Sequence, residues 1–172
     1  MKKVMFISST GGHFSELMKL EPLFKNYEVT LVTESSSNKK KLKEEYKKYN
    51  IHFLLKHSNI RIYNYLKILI NCFISLVYFI IFRPKYIVTT GAHTAGPMCC
   101  IGKIFRSKII FIETMANINT PTVTGKQIYK FADLFIVQWE DMLKVYPKAK
   151  YGGWIIWFFL LLVLKINNFL DF

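Results

Sequence analysis

The chain is short of acidic residues and of cysteine. Its 172 residues include 24 Lys and Arg but 11 Asp and Glu, which gives a formal net charge of +13. The three cysteines, Cys72, Cys99 and Cys100, have neither the spacing of a disulfide framework nor that of a metal site. We therefore expect a reducing, cytosolic compartment and neither a metal ion nor another cofactor.

Two nucleotide-binding signatures are also missing. The pair Gly11-Gly12 does not form a G-x-G-x-x-G fingerprint, and we find no acidic residue at a clean strand end ~20 residues later that would complete one. The stretch 124–127 lacks the leading glycine and the Ser or Thr of a Walker A loop. A secretory signal is not expected, because only four apolar residues follow Lys2 and Lys3 before the first turn.

The composition is basic and apolar at once. Hydrophobic residues make up 52% and aromatic residues 16%, too much for a disordered or histone-like chain. This combination predicts contact with an anionic membrane surface. Nucleic acid is the alternative partner, but the dense basic run 39–48 contains one aromatic residue, Tyr46. We interpret that run as a solvated helix face and expect no nucleic acid.

The first turn predicts the opening of an α/β domain. Val4–Ile7 is a buried strand by its length, Gly11-Gly12 is a turn, and Phe14, Leu17, Met18 and Leu20 have helical spacing. Such glycines let a backbone approach a ligand, and free amides at a helix start favour an anion such as phosphate. A purely steric need for glycine, and a structural cap at His13, are the alternatives.

Further alternation of strands and helices predicts an α/β fold. It is a Rossmann-like parallel sheet with helices on both faces, in one domain of about this length. The further predicted strands are 28–33, 51–55, 86–89, 109–112 and 134–137. The further predicted helices are 39–49, 60–82, 98–105 and 127–131.

The helix 60–82 is apolar enough for a membrane span, but it carries a polar stripe. We predict a crossover helix whose excess apolar surface lies in the membrane interface, flanked by Arg61, Arg83 and Lys85. A fully internal helix and a true span are the alternatives. The stripe comprises Asn64, Lys67, Asn71, Ser75 and Tyr78. The predicted membrane contacts are Lys67, Phe73, Phe79 and Arg83.

Loops at the carboxyl ends of parallel strands line one crevice. This rule collects the loops 9–13, 91–96, 113–124 and 138–140, which contain His13, His93 and Glu113 among many hydroxyl groups and amides. We expect few fixed anionic charges at this edge. Such an edge suits a sugar or phosphate ligand better than a metal ion.

Several of these segments together resemble a known family, the Alg14-like polysaccharide-biosynthesis proteins, which include bacterial capsule and exopolysaccharide subunits. The Gly-Gly-His turn is shared with the wider MurG-like group, whereas the Val-Gln-Trp and Tyr-Pro-Lys motifs are more specific. The resemblance covers about residues 2 to 155. It rests on the segments 9–13, 90–97, 111–114, 124–126, 136–139 and 146–153.

The resemblance implies the N-terminal half of a GT-B glycosyltransferase. An Alg13-like catalytic partner would bind the nucleotide sugar, a UDP-sugar. This chain would recruit that partner to the cytosolic face of the cell membrane and bind a polyprenyl-diphosphate-linked sugar acceptor. The pathway would be lipid-linked oligosaccharide synthesis for capsular or exopolysaccharide. A self-sufficient small glycosyltransferase is the alternative within enzymes.

Carried onto this sequence, the resemblance implies an acceptor site and two catalytic candidates, His13 and Glu113. Gln138 and Trp139 are equally well explained as structural. The implied residues that bind the acceptor and its diphosphate are Thr10, Gly11, Gly12, His13, Gly91, His93, Thr94 and Gly96.

The end of the chain departs from the family pattern. We divide the chain into a domain, 1–153, and an apolar tail, 154–172. The run Trp154 to Leu164 is too short to span a bilayer, which needs ~20 residues. We interpret the tail as an interfacial segment or an aberrant end, which puts partner docking in doubt.

Overall fold

The computed structural model describes residues 1–36, 39–56, 61–155 and 166–170. Every strand pair in its seven-stranded sheet is parallel. The strands are β1 (Lys3–Ser8), β2 (Glu28–Glu34), β3 (Asn50–Leu54), β4 (Tyr86–Gly91), β5 (Lys108–Ile112), β6 (Leu134–Val137) and β7 (Lys150–Tyr151). The helices are α1 (Gly12–Met18), α2 (Glu21–Phe24), α3 (Lys39–Glu45), α4 (Arg61–Phe82), α5 (Ala95–Ile104), α6 (Val123–Tyr129) and α7 (Met142–Val145).

The strand order β3-β2-β1-β4-β5-β6-β7 confirms the predicted Rossmann-like class. Successive side chains of a strand point to opposite faces of a sheet. In β1, Val4 and Phe6 join one buried apolar cluster, whereas Met5 and Ile7 join another. The first cluster also takes in Leu17 of α1. The second contains buried residues of α4, α5 and α6, so helices cover both faces.

Several boundaries differ from the prediction. β2 extends to Glu34, so an acidic residue does end a strand there, contrary to our expectation. α6 begins at Val123 rather than at residue 127, because the Thr122 hydroxyl accepts a hydrogen bond from Gly125 N (2.9 Å) and caps the helix. α2, α7 and β7 were not predicted, since two to four residues are too few to show a periodicity.

Helix α4 presents its polar stripe to the protein and its apolar side chains to the outside. Asn71 and Ser75 are buried, and the Asn71 amide accepts from Leu55 N (2.8 Å) and donates to Leu55 O (2.9 Å). Tyr78 Oη donates to Phe53 O (3.2 Å). The alternative of a fully internal helix is therefore wrong. The exposed large apolar side chains of α4 are Tyr65, Leu66, Ile68, Leu69, Ile70, Phe73, Val77, Ile80 and Ile81.

By length and composition, one described helix is capable of crossing a membrane, over residues Tyr65–Phe82. Of the predicted membrane contacts, Phe73 and Arg83 are exposed, and Lys67 is partly buried and donates to Lys56 O (3.1 Å). The prediction for Phe79 is corrected, because this side chain is buried and its ring stacks on Phe105. The side chains of Arg61 and Asn64 lie outside the described residues.

The described part of the predicted tail packs on the domain. Ile155, Ile166 and Leu170 are buried in the first apolar cluster. Residues 166–170 are helical; Tyr27 Oη donates to Asn167 Oδ1 (3.1 Å), and Lys2 Nζ donates to Leu170 O (2.5 Å). Most of the predicted interfacial run, 156–165, lies outside the described residues, as do 37–38 of the predicted loop after β2.

Candidate functional site

His13 is held against the loop that follows β4. Its Nδ1 lies 2.8 Å from Thr90 O, and the Thr90 hydroxyl donates to His13 O (2.7 Å). A carbonyl oxygen only accepts, so Nδ1 carries the proton of the neutral ring and Nε2 keeps the lone pair. The ring is partly exposed, at the first turn of α1. The geometry gives His13 a fixed orientation with a basic nitrogen available for proton transfer.

Two glycines allow the β1 and β4 loops to meet. Gly11 (φ 84°) and Gly91 (φ 93°) both have left-handed backbones, which L side chains rarely adopt. The His13 ring lies about 3.7 Å from where a Cβ of residue 91 would be, and Ser9 N donates to Gly91 O (3.0 Å). Gly12 differs, because its φ is not positive and an added Cβ would meet nothing within 4 Å. Neither backbone strain nor packing therefore requires glycine at position 12.

Glu34 joins two of the predicted acceptor-site residues. It is buried at the end of β2, and its carboxylate accepts from the hydroxyl groups of Thr10 (3.4 Å) and Thr94. Glu34 was not predicted as a site residue, because the predicted strand 28–33 ends one residue before it. The two threonine hydroxyls bind this carboxylate, so their role in the structure is to fix the two loops.

Glu113 follows β5 and is almost completely buried, with 1% of its surface exposed. Its carboxylate accepts from Thr122 Oγ1 (2.9 Å), Tyr146 Oη (2.9 Å) and Thr114 N (3.2 Å). Burial and the adjacent carboxylate raise the pKa of Tyr146, so its hydroxyl keeps the proton that it donates. Glu113 thus lies beneath the loop as an anchor for α6 and for Tyr146, rather than on the wall of the open edge.

Gln138 and Trp139 also hold loops in place. Gln138 Nε2 donates to Glu113 O (2.9 Å), and its Oε1 accepts from Ile155 N (2.9 Å). Trp139 Nε1 donates to Met115 O (2.8 Å), and its ring packs edge-on against Trp154 at 4.6 Å between centroids. Of the two interpretations of this pair, the structure favours the structural one.

Glu16 is a third buried carboxyl group at this edge, and the sequence analysis did not single it out. Its Oε1 accepts from Thr114 Oγ1 (2.9 Å) and Met115 N (3.1 Å), which fastens the loop after β5 to α1. Its Oε2 is buried and has no hydrogen-bond partner among the described residues. Burial raises the pKa of Glu16, partly opposed by the Thr114 and Met115 hydrogen bonds. The helical pattern of α1 gave one signal, since Glu16 interrupts its apolar face.

The structure brings three buried carboxyl groups to this edge, where few were expected: Glu34 ends β2, Glu113 follows β5, and Glu16 lies on α1 with its carboxyl group bonded to the loop after β5. The predicted residues Thr10 to His13, Gly91 and Thr94 come together there. His93 is exposed and lines a small cavity with Lys67 and Asn71, on the α4 side of the edge. Among the described residues, no group of three His, Cys, Asp or Glu side chains is placed to hold a metal ion.

The amino-acid sequence is similar to a known protein family and to curated proteins. The profile of a family described as "Oligosaccharide biosynthesis protein Alg14 like" matches residues 4–155. The curated protein "UDP-N-acetylglucosamine transferase subunit ALG14" of Mus musculus is 25% identical over 181 residues, covering 90% of this chain and 83% of that protein. Its namesake in Saccharomyces cerevisiae is 26% identical over 190 residues, covering 90% and 77%.

A shorter stretch is more similar. The Kluyveromyces lactis protein of the same name is 48% identical over 50 residues, which are 29% of this chain and 21% of that protein. The two long matches and this short match are therefore all to proteins of the same name.

Solved structures resemble the fold at low sequence identity. MurG of Acinetobacter baumannii superposes with a TM-score of 0.67 at 16% identity, over 82% of this chain and 43% of that one. A UDP-N-acetylglucosamine 2-epimerase from Rickettsia bellii gives 0.72 at 15%, over 100% and 49%. Both have GT-B-like Rossmann folds. The chain thus spans about half the length of each solved structure.

Proposed function

The chain belongs to the Alg14-like family of oligosaccharide biosynthesis proteins, and we propose that it is the acceptor-binding subunit of a two-chain glycosyltransferase on the cytoplasmic face of the cell membrane. An Alg13-like partner binds the UDP-sugar donor. This chain binds a sugar carried on a polyprenyl diphosphate and brings the partner to the membrane. The reaction extends a lipid-linked oligosaccharide of the capsular or exopolysaccharide type.

The observation that carries this proposal is the contact between the Gly11–His13 turn and the Thr90–Thr94 loop. It presents an oriented imidazole beside a glycine, Gly12, whose backbone a ligand can approach closely. A diphosphate suits such a backbone, because main-chain amide groups are good donors to phosphate oxygens. The His13 imidazole then lies close to the acceptor.

His13 Nε2 is suited to be the general base. It takes the proton from the acceptor hydroxyl group as that oxygen attacks the anomeric carbon of the donor sugar, and the bond to the UDP leaving group breaks with inversion. Thr90 O keeps the Nδ1 proton in place and stabilises the imidazolium that forms. Glu113 is a positioning residue here, since its carboxylate is occupied by Thr122 and Tyr146.

The need for a partner is supported by the names of the relatives. The curated relatives from mouse and yeast are both named as subunits of a UDP-N-acetylglucosamine transferase. A second chain that supplies the donor-binding half fits these names.

Membrane attachment is supported by α4. Its exposed apolar side chains continue onto the end of α5, where Ile104 and Phe105 are 75% and 55% exposed. Arg83 and Arg106 are exposed beside this surface. Apolar side chains bordered by cations are what an anionic lipid surface binds.

The test is sugar transfer in membranes by this chain alone, by an Alg13-like partner encoded at the same locus, and by both together. We expect strong transfer only with both chains. Equal transfer by the partner alone, or full transfer by this chain alone, would each contradict the proposal.

Two substitutions test the site in the complete complex. His13→Ala should lower kcat by roughly a hundredfold or more, the usual range for a general base. Gly12→Ala should keep or raise stability, because alanine favours a helix by ~1 kcal/mol, yet raise the KM for the acceptor.

Gly125→Ala is the control with the opposite expected effect on stability. Its methyl group meets Glu113 and Thr122, so stability should fall. Unchanged kinetics of both His13→Ala and Gly12→Ala would refute this site.

A further inference from the structure

Helices α4 and α5 are each followed by an arginine with a left-handed backbone. Arg83 comes directly after α4 and has a φ of 44°, and Arg106 lies two residues after the end of α5 and has a φ of 65°. The end of α5 is a Schellman motif, in which Ser107 N donates to Gly102 O (2.8 Å) around Arg106. Glycine is the usual residue at such a position, because L side chains are strained there. The backbone therefore does not explain why both residues are arginine.

The two guanidinium groups are used little within the chain. Both side chains are exposed, and neither forms an ion pair with a described residue. Asp133, the acidic residue at this end of the sheet, pairs instead with Lys103 (3.0 Å) and Lys108 (3.1 Å). The hydrogen bond from Arg83 Nε to Ile80 O (3.3 Å) engages one of five N–H groups. Donors of both arginines are thus available to a ligand.

An apolar groove lies between the ends of the two helices. It is open, has a volume of about 370 Å³, and is lined by Phe79, Ile80, Arg83, Pro84 and Phe105. The rings of Phe79 and Phe105 stack in its wall, with 5.0 Å between their centroids. Ile80 is 54% exposed and belongs to the outer apolar face of α4, so the groove is continuous with that face. The groove thus combines an apolar wall with a guanidinium group.

The second arginine is held beside the same groove. The residues that follow the two arginines are joined, because Ser107 Oγ donates to Pro84 O (2.6 Å). Arg106 also comes directly after Phe105, a residue of the groove wall. Both cations therefore lie at one end of the α4–α5 pair, next to exposed apolar surface. A phospholipid with a net negative charge matches this arrangement, since it carries a phosphate and hydrocarbon in one molecule.

We propose that this groove binds one anionic phospholipid of the membrane, with its phosphate on the two arginines and the start of an acyl chain against the Phe79 and Phe105 rings. The inference rests on the proposed membrane attachment and adds a discrete lipid site to it. A guanidinium group binds two phosphate oxygens at once through a planar fork, which the ammonium group of lysine lacks. The choice of arginine at two strained positions is then explained by the ligand.

The test is co-sedimentation of the purified full-length chain with vesicles of phosphatidylcholine, prepared with and without phosphatidylglycerol. We expect tighter binding to the vesicles that contain phosphatidylglycerol. Arg83→Lys with Arg106→Lys keeps the net charge but removes both forks, so binding to these vesicles should weaken by about fivefold. General attraction between a basic chain and an anionic surface predicts no change for this variant.

Arg83→Gly with Arg106→Gly separates lipid binding from folding. Glycine relieves the left-handed backbone, so the melting temperature should stay close to that of the wild type. Binding to the anionic vesicles should weaken by roughly thirtyfold, because two cations leave the lipid surface.

The matched control is Lys19→Gln with Lys25→Gln. These two exposed lysines also follow helices, α1 and α2, which pack on the other face of the sheet. The control removes the same number of positive charges as the glycine variant, and we expect it to bind the anionic vesicles as the wild type does.

The outcomes separate two failures. If the wild type prefers the anionic vesicles and the double lysine variant binds them equally well, the attraction is general; the inference is wrong and membrane attachment stands. If the control weakens binding as much as the double glycine variant, only the number of charges matters and the inference is again wrong. If the wild type binds neither kind of vesicle, the proposed membrane attachment fails, and the inference with it.

Discussion

The edge of the sheet and the outer face of α4 both reverse the usual arrangement of a soluble protein. At the edge, Glu16, Glu34 and Glu113 are buried. On α4, side chains such as Leu69 and Phe73 are 69% and 68% exposed. Buried charge and exposed apolar surface are the two departures that carry the most information about function.

The two regions differ in how their departures are compensated. Each buried glutamate accepts hydrogen bonds from threonine hydroxyls on neighbouring loops, so the edge is completed largely within the chain. The α4 face has no such compensation, because only 17% of its most apolar 18-residue window is buried. The edge is therefore a rigid frame, whereas the outer face of α4 is left largely uncovered by the described residues.

The largest expected effect comes from breaking that frame. Glu113→Ala leaves Thr122, Tyr146 and Thr114 without their acceptor, so we expect a loss of about 3 kcal/mol or more. The melting temperature should fall by about 6 to 12 °C for a chain of this length. Tyr146→Phe removes one of these donors and should cost about 1 kcal/mol. A Glu113→Ala chain of wild-type stability that fails in sugar transfer would instead support the catalytic role predicted from the sequence.

The second effect tests the other side of the comparison. Leu69→Glu with Phe73→Glu should leave stability unchanged, because both side chains are exposed. Binding to anionic vesicles should weaken by roughly a hundredfold or more, since two apolar side chains are lost and each contributes about 1.5–3 kcal/mol when buried. Co-sedimentation measures the binding, and thermal unfolding measures the stability.

The matched control is Asn71→Leu, on the polar stripe of the same helix. It adds apolar surface but leaves Leu55 N and O without their partner, so it should destabilise the fold and spare vesicle binding. Vesicle binding that survives the double substitution would show that α4 is not the attachment surface.

The sequence predicted the sheet and the loops at its edge because both follow from local pattern and strand direction. The four-residue strand 134–137 was placed correctly from its apolar run alone. Strand direction then put His13 and Thr90 at the same edge. The polar stripe of α4 was also visible, through Asn71, Ser75 and Tyr78.

Three features depended on partners far away in the chain. Glu34 meets Thr94 across 60 residues, and Glu16 meets Thr114 across 98, distances over which no periodicity operates. The burial of Phe79 was instead predictable from helical spacing, because Phe79 lies four residues after Ser75 on the buried side of α4, where its ring stacks on Phe105. The polar stripe of α4 faces the protein because the Asn71 amide bonds Leu55 N and O. The pattern of the helix alone does not predict this partner.

The smallest expected effect separates Glu16 from the other glutamates by its pH dependence. Burial raises the pKa of Glu16 above its ordinary value of 4.5, although Thr114, Met115 and the charge of His13 oppose this and Glu113 reinforces it. At a pH between the ordinary pKa and the raised pKa of the folded chain, the folded chain keeps a proton on Glu16 that the unfolded chain has released. This group therefore makes stability fall as pH rises through that interval. Glu16→Gln removes that fall.

The free energy of unfolding of this variant, measured by urea titration from about pH 4 to about pH 8, should therefore rise relative to that of the wild type as pH rises. Glu28→Gln controls for the loss of one negative charge from a basic chain. If the curves of wild type and Glu16→Gln run parallel, the carboxyl group is not destabilised by its burial, and Oε2 has a partner within the folded chain or its bound water.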